Sequence, residues 1–295
     1  MTTIQSIAIV GGTHGNELTG IHTVQALRNP QLRAIHCPIA DEFATQYFIA
    51  NPRATKAVTR YIDDDLNRQF TSQRLSAQHS DAYESGLAKM LNHTLGPIDA
   101  PEFDLVIDIH NTTSAMGPTL IVLADSPFYR NMAGYLALQM PEANILLEDE
   151  VEYSAHPYLC TLGKHGVMLE LGAQPQGVSR SDIFEQCQAM LRHVLHYCQL
   201  NNHNKLPDIP AFSAYRLQET INFPCNTEQE INGLIHANLL DKDFEPVHHG
   251  DPIFTLFDGT DVLWRGEHTI YPHFINEAAY QQSQVAFATA SKFIW

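Results

Sequence analysis

No apolar run in the 295-residue chain approaches the ~18 residues that a membrane span needs. No basic stretch precedes an apolar one at Met1-Thr2-Thr3-Ile4-Gln5, so no signal peptide is read there and a cytoplasmic location is expected. Cysteine pairs at CxxC spacing are absent too. Cys37, Cys160, Cys187, Cys198 and Cys225 are scattered and odd in number, which reads as reduced, mostly buried thiols. Cations are scarce: 17 Lys and Arg face 33 Asp and Glu, a formal net charge of −16. That balance argues against nucleic acid and against anionic membrane as partners. It leaves room for a small anionic substrate, because a few arginines in a pocket override the global charge. Gly11-Gly12 has neither GxGxxG spacing nor a P-loop Lys-Ser/Thr, which argues against a nucleotide-binding phosphate loop. Internal repeats and low-complexity tracts are missing as well.

What is present suits a folded enzyme-sized chain. Hydrophobic residues make up 44%, enough for a sizeable core in one large domain or a medium domain plus a small one. Residues 6–10 read as a short buried strand that ends in a tight Gly11-Gly12 turn. Residues 17–27 follow with helical spacing of Leu18, Ile21, Val24 and Leu27, and Pro30 is expected to stop them. Further strands are expected at 103–109, 119–123 and 167–172, and an amphipathic helix at about 181–197, with Ser181 and Asp182 able to cap it. The polar, Pro-bearing stretch 200–210 reads as a linker. Beyond it, short segments at 253–257, 262–264 and 268–271, separated by Asp258-Gly259 and Arg265-Gly266, read as a small β-rich domain. The expected division is 1–203 and 211–295.

Polar residues gather where the strands end. His14 and Glu17 stand three apart where a loop enters a helix, and both are ordinary Zn²⁺ ligands; such a pair is common by chance. His110 follows the buried strand directly, and a ligand from a distant strand end would complete a His₂Glu set with an open position. Taken alone, His110 reads first as a satisfied strand-end histidine. Asp108, two residues earlier on the same face, is a candidate to hold a ligand's other ring nitrogen. Glu170 sits among apolar neighbours, where a carboxylate is costly unless it has a task or a partner. It could move a proton between water and a leaving amine, or it could face solvent. Arg60 and Arg68 flank Asp63-Asp64-Asp65-Leu66-Asn67; they could bind a carboxylate, or pair with the three aspartates. His248-His249 has no Cys or carboxylate at ligand spacing and reads as a surface turn.

Together these residues resemble the aspartoacylase / succinylglutamate desuccinylase family of the zinc carboxypeptidase superfamily. The matching text is Gly11-Gly12-Thr13-His14-Gly15-Asn16-Glu17, Asn51-Pro52-Arg53-Ala54, Thr59-Arg60-Tyr61-Ile62-Asp63 and Asp65-Leu66-Asn67-Arg68. It continues with Asp108-Ile109-His110-Asn111-Thr112-Thr113-Ser114, Glu170-Leu171-Gly172-Ala173-Gln174-Pro175-Gln176-Gly177, Tyr271-Pro272 and Asn276-Glu277-Ala278-Ala279-Tyr280. The resemblance implies an α/β fold, a carboxypeptidase-like mixed sheet with flanking helices, followed by a smaller β-rich domain that narrows the entrance. It implies one Zn²⁺ per chain on His14, Glu17 and His110, with Glu170 as general base and then acid. Arg60 would stabilise the oxyanion, Asn67 and Arg68 would hold the α-carboxylate, and Tyr280 would reach the substrate from the C-terminal domain. A homodimer is suggested by the same likeness.

The activity so implied is hydrolysis of N-acyl-L-amino acids, with N-acetyl-L-aspartate first among them. One departure bears on that choice. Family members acting on N-acetylaspartate carry a further Arg shortly before the strand bearing the base, and residues 131–176 here contain none. Lys164, His156 or His165 are candidates to replace it. The alternatives are a deacylase for aromatic or succinylated amino acids, and a non-catalytic zinc or ligand-binding protein on the same scaffold. The presence of both Glu170 and Arg60 argues against the last.

Overall fold

The computed structural model describes residues 2–78 and 81–295; Met1, where the expected first segment begins, lies outside the described residues. The strands are β1 (Ser6–Gly11), β2 (Ala44–Ile49), β3 (Leu105–Asn111), β4 (Pro118–Val122), β5 (Asn144–Leu147), β6 (His165–Leu171), β7 (Ser213–Asn222), β8 (Gly233–Ile235), β9 (Pro252–Leu256), β10 (Asp261–Leu263), β11 (Tyr271–His273) and β12 (Val285–Ile294). The helices are α1 (Leu18–Arg28), α2 (Pro30–His36), α3 (Pro52–Ala57), α4 (Ser72–Ser76), α5 (Tyr83–Thr94), α6 (Pro127–Gln139) and α7 (Ser181–Asn202). Nine strands form one sheet in the order β11-β12-β7-β5-β4-β6-β3-β1-β2, and a smaller sheet runs β10-β9-β8. β1, β3 and β6 lie parallel, while β4 runs antiparallel to β6, so the main sheet is mixed.

Side-chain alternation along the central strands explains both the core and the site. Ile7, Ile9, Leu105, Ile107, Ile109, Val167 and Leu169 point to one face, where Val24 and Leu27 of α1 and Met190, Leu191 and Val194 of α7 cover them. Ala8, Val10, Val106 and Met168 point to the other, against Leu87 and Leu91 of α5. Asp108 and His110 continue the second series on β3, and Glu170 continues it on β6. The parallel register sets His110 opposite Glu170. Period-two geometry therefore delivers these polar residues to one face at the strands' C-terminal ends.

The C-terminal segment has two parts. β7 pairs in parallel with β5, and β12 and β11 extend the sheet beyond it. The three-stranded sheet has its own core of Phe223, Ile235, Phe254 and Phe287. This is the smaller β-rich domain. The main sheet thus draws strands from both sides of the 200–210 stretch.

Several local expectations shift. α7 runs on to Asn202, so the first part of the expected linker is helical. Ser181 is its first helical residue rather than its cap; Arg180 occupies the cap position and bonds Asp182. Pro30 does not only end a helix. Asn29 closes α1 and caps α2, with Pro30 at the start of α2. In the 268–271 segment, regular pairing begins only at Tyr271, and Ile270 makes an isolated bridge to Val247. Among the described residues, no helix is long and apolar enough to cross a membrane.

α1 approaches the sheet closely because Gly20 faces Gly11 and the end of β3. A Cβ on Gly20 would lie 2.6 Å from the Ile109 carbonyl oxygen. Gly20→Ala sets two effects against each other. Helical propensity favours Ala by about 0.5–1 kcal/mol, whereas forcing an atom into a packed interface costs about 1–3 kcal/mol. The backbone oxygen cannot rotate away, so packing wins. Urea unfolding of Gly20→Ala should show a lower midpoint than wild type.

Candidate metal centre and substrate cleft

The turn after β1 carries His14 and Glu17. Gly15 lies so close to the Ala54 and Thr55 backbone at α3 that a side chain there has no room. Its N–H donates to the Arg60 carbonyl at 3.1 Å, which ties the turn to the loop carrying Arg60. Glu17 occupies the N-cap position of α1. Its carboxylate lies 2.7 Å from His14 Nδ1 and 2.9 Å from His110 Nδ1. It also accepts from Arg60 Nη1 and from the Asn111 backbone N–H, each at 3.0 Å.

The outer nitrogens of both imidazoles are held by carboxylates. His14 Nε2 donates to Asp65 Oδ1 at 2.9 Å, and His110 Nε2 donates to Asp108 Oδ2 at 2.8 Å. Thr13 Oγ1 donates to Asp108 Oδ1 at 2.7 Å. With Nε2 protonated, Nδ1 of a neutral imidazole presents a lone pair, and two lone pairs then face the Glu17 carboxylate. Such an arrangement needs positive charge between the groups: imidazolium protons, or a metal ion in their place. Potential ligand atoms of His14, Glu17 and His110 lie within 4.8 Å of one another. Two imidazoles and one carboxylate, each outer nitrogen fixed by a carboxylate, fit a catalytic Zn²⁺ site with an open position. The charges respond accordingly. Burial opposes charge on Glu17, but His14 and His110 hold its pKa well below the ordinary range. Burial likewise opposes charge on His110, yet Asp108 and Glu17 raise its pKa.

Arg60 forms ion pairs with both Glu17 and Asp65, through Nη1 to the first and Nε and Nη2 to the second. These bonds use three of its N–H groups and leave two of the five for a ligand. The two negative neighbours hold it charged against burial. Asn67 Oδ1 accepts from Leu159 N at 2.8 Å, which turns its Nδ2 toward His110. Arg68 donates Nη1 to the Asn67 carbonyl and lies 5.4 Å from the ring centroid of Tyr158. Glu170 is buried with no hydrogen bond among the described residues. Burial, Glu17 and Glu277 push its pKa well above the carboxylate range, against the pull of His110. Tyr280 comes from the C-terminal segment and packs edge-on against Phe274. All eight residues expected from the sequence line one cleft: His14, Glu17, Arg60, Asn67, Arg68, His110, Glu170 and Tyr280.

The proposed replacements for the absent Arg do not reach the cleft. Lys164 is exposed and pairs with Asp104 at 2.8 Å, and His165 stacks on Phe128. His156 is buried behind the wall, stacked on Tyr158, and does not line the cleft. His248 and His249 are exposed and bond Thr269 and Gly266.

Other residues that matter here were not singled out from the sequence. Asp65 supports His14 and Arg60 together. Glu84, buried at the start of α5, accepts from the backbone N–H groups of Ile62, Asp63 and Asp64 and from Asn51 Nδ2, and so shapes the loop between Arg60 and Asp65. Glu277 accepts from Thr112 Oγ1 and from Thr113 N, which binds the Tyr280 turn to the segment after His110. A buried acid near a helix start, as at Glu84, is a usable signal; the long-range partners of Asp65 and Glu277 leave none.

Asp65→Asn should keep all three candidate ligands but weaken orientation of His14. Loss of such an outer partner lowers metal affinity about 10- to 100-fold. Competition against a chromophoric chelator measures this, and unchanged affinity would contradict the assignment.

Known proteins resemble the chain along nearly its whole length. Residues 3–198 match the model of the succinylglutamate desuccinylase/aspartoacylase catalytic domain, and residues 210–292 match the AstE/AspA barrel-sandwich hybrid domain. Aspartoacylase of Danio rerio is 39% identical over 298 residues, covering 98% of this chain and 92% of that protein. The N-acyl-aromatic-L-amino acid amidohydrolase (carboxylate-forming) of Rattus norvegicus is 40% identical over 294 residues, covering 97% and 90%. The crystal structure of murine aminoacylase 3 superposes with a TM-score of 0.90 at 35% identity, covering 100% of this chain and 97% of that one. Two adjoining domain matches and relatives aligned along nearly the full length give one conclusion: the chain belongs to the succinylglutamate desuccinylase/aspartoacylase family.

Proposed function

We propose that this chain hydrolyses N-acyl-L-amino acids with one Zn²⁺ bound by His14, Glu17 and His110. The observation that carries the reading is the pair of outward-pinned imidazoles converging on Glu17, with Glu170 on the adjacent strand in register with His110. The names of the relatives, aspartoacylase and N-acyl-aromatic-L-amino acid amidohydrolase, support the same reaction class. A bound Zn²⁺ would act as an electrophile that acidifies water and polarises a carbonyl.

The chain's own residues supply the rest. Glu170 accepts a proton from the attacking water and later delivers it to the amide nitrogen. The C–N bond breaks, a C–O bond forms, and a carboxylate and a free amine leave. A carboxyl group with a raised pKa suits a proton that must be both taken and returned. The unused N–H groups of Arg60 stabilise the negative charge that develops on the acyl oxygen. Asn67 Nδ2 and Arg68 hold the substrate's α-carboxylate, and Tyr280 closes on the substrate from the C-terminal side. In this reading 1–203 is the catalytic domain, and 211–295 narrows the entrance so that small acyl amino acids enter and polypeptides do not.

N-acetyl-L-aspartate is the first substrate to test, by the family resemblance. A second reading, an uncharged side chain, gains from a specific observation: Arg60 and Arg68 are the only Lys or Arg side chains among the described residues that line the cleft. Amine release from N-acetyl-L-aspartate and from N-acetylated aromatic amino acids should be abolished by a chelator and restored by zinc. Glu170→Ala should retain the metal and lose about 10²- to 10⁴-fold in turnover. Wild-type turnover in Glu170→Ala would remove it from the mechanism.

A further inference from the structure

Two groups of His and Glu side chains among the described residues bring three potential ligand atoms within 4.8 Å of one another. One is the His14–Glu17–His110 centre. The other is Glu148, Glu150 and His156, which no catalytic step uses. This second group lies behind the cleft. His156 and Glu150 do not line it, and Glu150 opens to solvent on the other side.

The fold brings these three side chains together without pairing them. Glu148 immediately follows β5, and its backbone N–H donates to the Val122 carbonyl at 2.9 Å, so it prolongs the pairing of β5 with β4. Its Oε2 accepts from Tyr158 Oη at 3.0 Å, while Oε1 has no partner among the described residues. Asp149 turns away to Arg216 Nε at 3.2 Å and so has its cation. Glu148 and Glu150, on either side of it, form no ion pair among the described residues. One turn of 3₁₀ helix, Tyr153–Ala155, then leads the chain back, and His156 follows it, only 1% exposed.

His156 shows what the group lacks. Burial lowers the pKa of its ring, against Glu150 and the backbone carbonyls of Glu148, Leu123 and Val151. The ring is therefore neutral at neutral pH, with one N–H and one lone pair. The polar groups that act on it are all acceptors: the Glu150 carboxylate and the three carbonyls. The N–H can serve one of these, but the lone pair finds no donor, and Nε2 is buried without a hydrogen-bond partner. A buried acceptor left without a donor is costly. A cation removes that cost, because it takes the imidazole lone pair and answers both carboxylates. Burial and Glu150 push the Glu148 carboxyl up to about 7. A divalent ion between the two acids reverses their repulsion and favours the ionised form. One imidazole and two carboxylates are a donor set that suits Zn²⁺.

We propose that Glu148, Glu150 and His156 form a second divalent-cation site, of imidazole–carboxylate chemistry suited to Zn²⁺, which staples the 148–156 loop to the end of β5. The site is separate from the His14–Glu17–His110 centre, and the proposal does not rest on the deacylase reading.

Equilibrium dialysis of the chelator-stripped protein against micromolar Zn²⁺, followed by metal analysis, tests it. Wild type should hold two Zn²⁺ per chain, and Glu150→Gln and His156→Asn one each. Glu150 is exposed, so its variant carries the test even if His156→Asn fails to fold. His110→Ala should keep one Zn²⁺, and that ion should raise its Tm; the double variant His110→Ala/Glu150→Gln should show neither. A single Zn²⁺ in wild type, lost in His110→Ala, would mean that water or nothing meets His156; it would overturn the second site and leave the first centre standing. A second Zn²⁺ that persists in both Glu150→Gln and His156→Asn would lie elsewhere and overturn the assignment equally.

Discussion

Glu17 carries a negative charge in a position sealed from solvent, and such burial is tolerated only where partners surround the charge. Its partners come from separate parts of the chain: His14 on its own turn, Arg60 on the next loop, His110 and the Asn111 N–H at the end of β3. Each side-chain partner is in turn fixed by a carboxylate. Asp65 holds His14 and Arg60, and Asp108 holds His110. The centre is therefore a set of carboxylates alternating with the imidazole and guanidinium groups they bond, closed by strand register rather than by any one loop. Removing one member leaves a buried charge unanswered, which costs more than the lost contact itself.

The C-terminal segment is bound into this arrangement through carboxylates that accept backbone N–H groups from the segment after His110. Glu277 bonds Thr113 N, and Asp243 bonds Ala115 N at 3.0 Å and Ile275 N at 3.1 Å. The pairing of β7 with β5 adds a continuous backbone connection. Tyr280 and Phe274 are thus held against the cleft by polar contacts on one side and by the sheet on the other. Both parts of the chain therefore build the wall of the cleft.

Much of this was legible in the sequence because it rests on periodicity or on short motifs. The alternation in β3 puts Asp108 and His110 on one face, Glu170 stands out as a carboxylate among apolar neighbours, and the His14–Glu17 spacing belongs to a single turn. The role read for Asp108, holding a ligand's outer nitrogen, corresponds to its bond with His110. Residues whose role depends on long-range closure were not legible. Asp65 opens the Asp65-Leu66-Asn67-Arg68 motif, but no role was read for it; only folding brings it to His14, 51 positions away in the chain. Glu84 looks like an ordinary first-turn acid until its loop wraps around it. β2 and β5, short and only partly apolar, went unread among stronger strands. The cap assigned to Ser181 failed because helix starts are local competitions among adjacent polar residues, and Arg180 stands one position earlier.

The same division separates reaction from substrate. Hydrolysis needs a ligand set, a proton carrier and an oxyanion donor, and strand ends and tight turns position these with little freedom. The far wall of the cleft is built from the end of β5 and the irregular segment before β6. That segment has no periodicity, and the replacements named from it alone, Lys164, His156 and His165, all face elsewhere. What the wall presents is an acid and a phenol already bonded to each other. Strand register and tight turns therefore bring the candidate ligand set together, while the residues of the far wall become visible only in the fold.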